Sequence, residues 1–168
     1  MPDLRFDAFE TALGWVAAVA SSRGVLRMSL PEPSAERATD HVRPEIEAAS
    51  LDPESLQDLR QLVQAYCAGE DVDLCGIPID ASAASPFFAK AWEACRTIPR
   101  GETRSYAWLA AAAGSPRGAR GAGQAMARNR VALLVPCHRV IAASGALHGF
   151  GGSKGLTMKQ QLLDLEMR

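Results

Sequence analysis

Two Ser-Pro pairs, at 85–86 and 115–116, are the feature that most constrains what this chain can fold into. Serine is a preferred N-cap and proline is tolerated in the first turn, so each pair predicts the start of a helix. Between them, Ser105 can cap another helix, which ends near Gly114. The helix after the second pair runs to about Arg128. The last two helices, joined by a short turn, predict a helix-turn-helix.

The remaining elements are predicted from the spacing of apolar residues and from turn-forming residues. In chain order they are strands at 14–19 and 24–30, a loop at 31–44, a helix from Pro53 to Gly69, a strand or extended connector at 71–80, a buried strand at 131–135, and a last amphipathic helix with Met158, Leu162 and Leu165 on one face. A run of small residues at 81–84 separates two predicted domains, at 1–84 and 85–168.

The net charge of -1 conceals two halves of opposite sign. Residues 1–84 contain 6 Lys and Arg against 15 Asp and Glu, a net charge of -9, and residues 85–168 contain 12 against 4, a net charge of +8. A basic half of this size suits the neutralisation of nucleic-acid phosphates, and the acidic half should then face away from a duplex. Ordinary surface patterning, or contact between the two halves, would give the same asymmetry.

Nothing in the sequence predicts a membrane protein or a secreted one. The longest apolar stretches, such as 15–20 and 131–135, are far shorter than the roughly 18–20 residues that span a bilayer. The N-terminus lacks the basic and apolar segments of a signal peptide, so we expect a cytoplasmic protein.

The four cysteines are expected to be free thiols, because a chain of this length can bury a core without disulfides and a reducing compartment keeps thiols reduced. Cys67 and Cys75 with His41 do not form a recognisable zinc-binding pattern. We therefore expect no metal ion.

The helix predicted after the second Ser-Pro pair is almost without side chains, because glycine and alanine fill most of residues 118–125. Each interior glycine destabilises a helix by about 1 kcal/mol relative to alanine, so three of them indicate that something approaches the backbone closely. The neighbour is either another part of the protein or DNA, and the sequence favours neither.

Cys137 is the candidate nucleophile, although a single cysteine is more often a buried and inert residue. It follows the predicted buried strand and a rigid proline, which can hold its side chain in one place. His138 and Arg139 supply positive charge that favours the reactive thiolate. Because neighbouring residues of a strand point to opposite faces, His138 either acts through a water molecule or is structural.

The run Pro-Cys-His-Arg-Val at 136–140, preceded by Asn129 and by Arg-Gly-Ala-Gly at 120–123, resembles the O6-alkylguanine-DNA alkyltransferases, or methylated-DNA–protein-cysteine methyltransferases. The resemblance is close from about 86 to 166 and faint before that. Further matching motifs are Ile-Pro-Arg-Gly-Glu-Thr-Arg-Ser-Tyr at 98–106, Gly-Ser-Pro at 114–116, Ser-Gly-Ala-Leu at 144–147, and Leu-Leu at 162–163 with Glu166. So many motifs in this order argue against a chance match.

The resemblance implies an α/β (α+β) fold, with a small, variable N-terminal α/β domain and a winged-helix-like C-terminal DNA-binding domain that contains the helix-turn-helix. It implies DNA repair by irreversible, single-turnover transfer of an alkyl group from O6-alkylguanine to a cysteine, without a cofactor. The implied partner is double-stranded DNA, bound through the minor groove, where a helix rich in glycine and alanine fits. We expect a monomer in the absence of DNA.

The resemblance assigns the chemistry to five residues. Cys137 accepts the alkyl group, and Glu166 and His138 deprotonate it through a water molecule. Tyr106 helps to rotate the nucleotide out of the stack and donates a proton to guanine N3, while Asn129 braces the turn around the site. The product is a thioether that no group in the chain can cleave, so one protein repairs one lesion.

The DNA contacts and the substrate pocket are assigned in the same way. Arg120 matches the arginine that fills the space left by the rotated nucleotide, and a phosphate contact is the alternative. The other expected DNA-binding residues are Ser105, Arg117, Gly123, Gln124 and Arg128. The expected pocket residues are Val140, Phe150, Gly151 and Gly152.

The chain departs from the family pattern at two places. Arg130 stands where the family usually has proline. The loop at 149–156 has Phe150 where many relatives have tyrosine, and it is slightly longer than in those relatives. Arg130 adds a charge and removes a rigid residue beside the site, and the altered loop bears on the range of substrates.

Two other functions would need different residues. A protein that recognises alkylated guanine without transferring anything would lack the reactive cysteine. A cysteine hydrolase that pairs Cys137 with His148 or His41 would need an orienting residue and an acyl substrate, and nothing in the sequence points to either.

Overall fold

The computed structural model describes residues 3–147, 152 and 155–168, and its chain divides into two compact units. The first unit is Met1–Asp80 with Arg130–Leu134, and the second is Ala81–Asn129 with Val135–Arg168. Five residues shortly before Cys137 therefore belong to the first unit, although the chain on both sides of them belongs to the second. The spacing of apolar residues in the sequence does not predict this exchange.

The first unit contains a four-stranded sheet with the order β3-β2-β1-β4, in which β4 is parallel to β1 and the other pairs are antiparallel. Its elements are β1 (Leu4–Thr11), β2 (Gly14–Ser21), β3 (Gly24–Met28), α1 (Ala35–Asp40), α2 (Arg43–Ile46), β4 (Ala49–Leu51), α3 (Gln57–Cys67) and a 3₁₀ turn at Leu74–Gly76. The two predicted strands are confirmed as β2 and β3. Strand β2 is buried from Val16 onward because it lies between two other strands and under α1.

The segment predicted as a loop at 31–44 instead contains most of two short helices. Ser34 caps α1, since its hydroxyl oxygen accepts a hydrogen bond from the backbone N–H of Arg37 at 3.2 Å. Ala38 and Val42 then join the apolar core formed with Leu4 and β2. Proline and polar residues suggested irregular structure, but burial of two apolar residues holds these turns in place.

Two other predictions in the first unit are partly wrong. Helix α3 begins at Gln57 and not at Pro53, although Leu59, Val63 and Tyr66 are buried as their spacing predicted. The segment at 71–80 forms a 3₁₀ turn and one bridge to Val25, with no regular strand.

The apolar run at 131–135 is fully buried, but it is not a strand. Val131 makes a single bridge to Met28, and Leu133 then adopts a left-handed backbone with φ of 69°. The N–H of Leu134 donates to the carbonyl of Ala132 at 2.8 Å, which closes a three-residue turn. A short apolar run indicates burial and does not by itself distinguish a strand from an irregular segment.

The second unit is mainly helical. Its elements are α4 (Pro86–Cys95), β5 (Arg104–Ser105), α5 (Tyr106–Ala112), α6 (Ala119–Ala127), a 3₁₀ turn at Cys137–Arg139, β6 (Val140–Ile141) and α7 (Leu156–Glu166). Strands β5 and β6 form a parallel pair. The buried face of α7 contains Met158, Leu162 and Leu165, as predicted.

The predicted caps Ser85 and Ser105 are confirmed, because each side chain accepts a backbone N–H from the first turn of its helix. The second Ser-Pro pair does not start a helix directly: residues 115–118 form a turn, and Gly118 caps α6. Helices α5 and α6 pack against each other across this turn, as a helix-turn-helix requires.

The glycines of α6 are explained in part by packing within the protein. A Cβ atom at Gly121 would lie 3.2 Å from Cε1 of Phe87, which is tighter than an ordinary contact. A Cβ atom at Gly123 would lie 3.9 Å from Cδ1 of Tyr106, at an ordinary contact distance. Internal packing therefore accounts for Gly121, whereas Gly123 has room for a methyl group.

Among the residues described, the structure has no helix that is both long enough and apolar enough to cross a membrane.

Candidate active site

Cys137 lies in a tight turn and not at the end of a strand, which corrects the expectation from the sequence. Pro136 has φ of -78° and ψ of 66°, and the N–H of Cys137 donates to the carbonyl of Val135 at 2.8 Å. A 3₁₀ turn follows, and then Val140 pairs with Arg104 across β5 and β6. Successive turns between two anchored segments fix the direction of the buried Cys137 side chain.

Asn129 holds this turn from the end of α6. Its side-chain amide donates to the carbonyl of Val135 at 2.9 Å and also hydrogen-bonds the sulfur of Cys137. One amide nitrogen has two N–H groups, so it can support the backbone and the thiol together.

The thiol of Cys137 is protonated at rest, because burial raises its pKa above the ordinary value. Four influences oppose that shift: the hydrogen bond from Asn129, the charge of Lys159, and the backbone N–H groups of Cys137 and His138. A buried thiol with donors and a cation around its sulfur needs a base to release its proton, and is then stabilised as a thiolate.

His138 and Glu166 form a buried pair that can serve as this base. Nε2 of His138 lies 2.6 Å from Oε1 of Glu166. Burial lowers the pKa of His138, although the hydrogen bond and charge of Glu166 oppose the shift. A neutral imidazole that donates from Nε2 to the carboxylate can accept a proton at Nδ1.

Arg139 is a site residue whose position the sequence did not predict. It was expected to lend its charge to the sulfur, but its guanidinium binds Glu166. Nε donates to Oε2 at 2.9 Å and to Oε1 at 3.2 Å, and Nη2 donates to Oε1 at 2.8 Å. Nη1 donates to the carbonyl of Ile98 at 2.7 Å. All of these groups are buried.

Lys159 is a second site residue that sequence reasoning missed. It is buried, its ammonium donates to the carbonyl of Val140 at 2.9 Å, and its charge acts on Cys137 and on Cys95. Burial lowers the pKa of Lys159, and the two cysteines oppose that shift. A signal was available, because Lys159 and Glu166 are seven residues apart and share one helix face with Leu162.

Tyr106 lies at the start of α5, half-buried, and close enough to Cys137 for the two side chains to interact electrostatically. Burial raises the pKa of Tyr106, and the charge of Cys137 adds to the shift. Its hydroxyl therefore keeps its proton at neutral pH and is available as a donor.

Most of the expected DNA-binding residues lie on α6 or directly beside its two ends. The buried residues of α6 are Ala122, Ala125 and Met126, whereas Arg117, Arg120, Gln124 and Arg128 are exposed. No Asp or Glu occurs between Glu102 and Asp164, so these residues have no acidic neighbour nearby in the chain. Gly123 is half-buried.

Ser105 and the pocket residues complete the set of predicted residues. The Ser105 hydroxyl is used as the cap of α5, where it accepts the N–H of Trp108 at 3.0 Å. Val140 is fully buried and Gly152 is half-buried. Phe150 and Gly151 lie outside the described residues.

Within the described part of the chain, no group of three His, Cys, Asp or Glu side chains is arranged to hold a metal ion. Cys67, Cys75, Cys95 and Cys137 are free thiols in the structure.

Together the fold and the site define a helix-turn-helix protein with a buried thiol that is followed in the chain by an imidazole hydrogen-bonded to a buried carboxylate. Residues 86–168 match the family model described as 6-O-methylguanine DNA methyltransferase, DNA binding domain. The chain belongs to this family, the methylated-DNA–protein-cysteine methyltransferases, as its motifs predicted.

Individual relatives agree with this assignment. The chain is 47% identical over 110 residues to a methylated-DNA–protein-cysteine methyltransferase of Mycobacterium leprae, covering 62% of this chain and 61% of the relative. It is 45% identical over 112 residues to the constitutive enzyme of that name from Bacillus subtilis, covering 67% and 66%. These alignments span slightly less than two thirds of each relative's length.

Solved structures extend the similarity to nearly the whole chain. The crystal structure of Mycobacterium tuberculosis O6-methylguanine methyltransferase has a TM-score of 0.77 and 32% identity, and covers 99% of this chain and 93% of that one. Mycobacterium tuberculosis OGT in complex with DNA also has a TM-score of 0.77, covering 97% and 92%. The predicted α/β fold is therefore confirmed.

Proposed function

We propose that this protein repairs DNA by transferring the alkyl group of O6-alkylguanine irreversibly to Cys137. The observation that carries the proposal is the buried His138–Glu166 hydrogen bond of 2.6 Å beside a buried thiol that Asn129 and Lys159 favour as a thiolate. Family membership supports the same conclusion. We place the activity in a C-terminal domain at 85–168.

The reaction begins with removal of the thiol proton. Neutral His138 accepts it through a water molecule, and Glu166 stabilises the resulting imidazolium. The charge of Lys159 and the N–H of Asn129 stabilise the thiolate that remains. Since the pKa of Cys137 is raised by burial, this base is required at neutral pH.

The thiolate then attacks the alkyl carbon, so that a C–S bond forms as the bond from that carbon to guanine O6 breaks. Guanine leaves with the electron pair of the broken bond and needs a proton to become a good leaving group. Tyr106, which keeps its hydroxyl proton at neutral pH and interacts electrostatically with Cys137, donates that proton to N3. The thioether product is stable, so each protein reacts once.

We propose that α6 enters the minor groove of double-stranded DNA. Small residues and Arg120 lie on its exposed face, the exposed Arg117 is in the turn before it, and the exposed Arg128 is its C-cap residue; residues 117–128 include no Asp or Glu. Arg120 fills the space left by the rotated nucleotide, and Arg117 and Arg128 bind phosphates. Gln124 contacts base edges. We expect a monomer before DNA is bound, acting in the cytoplasm, where reducing conditions keep Cys137 a thiol.

The proposal is tested by counting repaired bases. A duplex with one O6-methylguanine is mixed with increasing amounts of protein, and its nucleosides are separated and quantified. We expect one guanine restored per protein molecule and none with Cys137→Ser, while Cys67→Ser, which changes a thiol of the first unit, reacts like the unaltered protein. Binding without any restored guanine would support a lesion-binding protein, and repeated turnover would contradict the irreversible step.

A further inference from the structure

Arg139 is a buried guanidinium beside the nucleophile for which the proposed reaction has no role. It follows His138 directly in the chain and makes four hydrogen bonds, three to Glu166 and one to the carbonyl of Ile98. Surface ion pairs contribute little, but a buried charge is retained only where its partners are well placed. The burial of Arg139 is therefore not explained merely by its position next to His138 in the chain.

We propose, resting on the alkyl transfer proposed above, that Arg139 is a positioning residue that holds Glu166 as an ionised acceptor and keeps His138 a neutral base. Its guanidinium hydrogen-bonds Glu166 and the carbonyl of Ile98, and it acts on His138 through Glu166 and through its own charge.

His138 and Arg139 share one carboxylate oxygen of Glu166. Oε1 of Glu166 lies 2.6 Å from Nε2 of His138 and 2.8 Å from Nη2 of Arg139. A guanidinium can only donate and does not lose its proton in proteins, so it favours a carboxylate that only accepts. With an acceptor at Oε1, Nε2 of His138 must carry the hydrogen, and Nδ1 becomes the basic nitrogen.

The charged groups around His138 have opposing effects on its pKa. Among the described residues, the charged groups that act on His138 are Glu166 and Lys159 from α7 and Arg139 from its own turn, and Cys137 adjoins it in the chain. Glu166 favours a protonated imidazole, whereas Arg139 and Lys159 oppose it. If Arg139 were absent, Glu166 would form its ion pair with His138 instead. A protonated His138 cannot accept the proton of Cys137.

Arg139 is also anchored to the backbone at Ile98. Its bond to Ile98 joins it to the turn at 98–101, which also contacts the end of α7. The N–H of Gly101 donates to Oε2 of Glu166 at 3.5 Å, and Nη2 of Arg100 donates to the carbonyl of Leu165 at 3.3 Å. The planar guanidinium therefore fixes the carboxylate in one orientation, and a lysine ammonium at this position would keep only the charge.

The proposal is tested by the pH dependence of single-turnover alkyl transfer in Arg139→Gln and Arg139→Lys, measured from about pH 5.5 to about pH 9. For Arg139→Gln we expect the acid limb of the rate profile to move to higher pH by about one unit or more, because His138 becomes easier to protonate. For Arg139→Lys we expect a limb close to that of the unaltered protein, with a rate about tenfold lower throughout.

A matched control removes a different arginine from a buried carboxylate. Arg60→Gln breaks the 3.0 Å ion pair with Asp7 in the first unit, so it reports the general effect of losing such a pair. We expect it to lower thermal stability and leave the rate profile unchanged. A rate reduced by the same factor at every pH in Arg139→Gln would contradict the proposal and indicate a purely structural role.

A second measurement needs neither a variant of Arg139 nor any transfer activity. Nuclear magnetic resonance of ¹⁵N-histidine in the whole, unalkylated protein reports the charge and tautomer of His138, with its signal assigned through His41→Gln and His148→Gln. We expect a neutral ring with its hydrogen on Nε2 down to pH values below the ordinary histidine pKa of 6.5. An imidazolium at neutral pH, or hydrogen on Nδ1, would overturn the proposal. Failure to transfer an alkyl group, with this signal as expected, would contradict the proposed function instead.

Discussion

The carboxylate of Glu166 lies 2.6 Å from Nε2 of His138, although 28 residues separate them in the chain. Both side chains are buried, and Arg139 binds the same carboxylate. A base made of two distant residues depends on how α7 packs against the turn that holds Cys137. The activity should therefore depend on that packing, and substitutions in α7 or in the turn should reduce it.

Glu166→Gln removes the charge that orients His138 and leaves Arg139 without its ion pair. We expect the single-turnover rate to fall about 10²- to 10⁴-fold, the usual range for losing a general base. Breaking one side of a buried ion pair should also cost about 3–5 kcal/mol of the free energy of unfolding. Glu102→Gln, which breaks an exposed pair with Arg104, should change neither quantity appreciably. Urea denaturation and rapid-quench kinetics measure the two effects, and an equal rate for both variants would contradict the assignment.

Lys159→Met removes the buried ammonium near the thiol. Because the charge of Lys159 lowers the pKa of Cys137, its loss raises that pKa further, and the rate at neutral pH should fall. The pH profile should move to higher pH, so that the loss is smaller in alkaline buffer. Stability should be unchanged or increased, since a buried charge is replaced by an apolar side chain. A profile that does not move would argue against an electrostatic role for Lys159.

Arg120→Ala tests whether extrusion of the nucleotide depends on α6. We expect the variant to react normally with a small free benzylated guanine and to lose rate on duplex DNA, because only the duplex requires a rotated nucleotide to be replaced in the stack. Comparing the two rates in one preparation controls for folding. Equal losses on both substrates would exclude this role.

The cysteines should differ in reactivity because they differ in burial. Burial raises the pKa of Cys67 to about 11, so this thiol is almost entirely protonated at pH values near neutrality. Cys75 is half-exposed, and we expect it to react first with a disulfide reagent in the native protein. Cys67 should react only after denaturation. A fast reaction that survives in Cys75→Ser would show that another thiol is accessible.

Gly121→Ala and Gly123→Ala form a matched pair within α6. Alanine stabilises a helix interior by about 0.5–1 kcal/mol relative to glycine, and Gly123 has room for the added methyl group. At Gly121 the methyl group meets the ring of Phe87, so we expect little or no gain. Thermal denaturation of both variants decides the question, and equal stabilisation would refute packing as the reason for Gly121.

Local sequence signals predicted the elements that local chemistry determines. The caps Ser85 and Ser105 start α4 and α5 because a serine hydroxyl satisfies first-turn N–H groups without help from the rest of the chain. The short helices α1 and α2 were missed because their turns depend on burial of Ala38 and Val42 against distant strands. Pattern alone could not supply that context.

In the candidate site, too, local motifs were predicted and long-range contacts were missed. Cys137, His138 and Glu166 were found through motifs, and the structure brings the last two together. Arg139 and Lys159 were missed as partners because charged residues are expected at the surface, and only long-range contacts can justify their burial. The irregular segment at 131–135 was predicted as a strand because apolar runs report burial and not backbone shape.

The most direct measurement is the intact mass of the protein after it is mixed with a duplex that contains O6-methylguanine. If Cys137 accepts the methyl group, the mass rises by one methylene unit, about 14 Da, because a methyl group replaces the thiol proton. Peptide mapping should place the added mass on Cys137, and Cys137→Ser should show none. An unchanged mass in protein that still binds the duplex would contradict alkyl transfer.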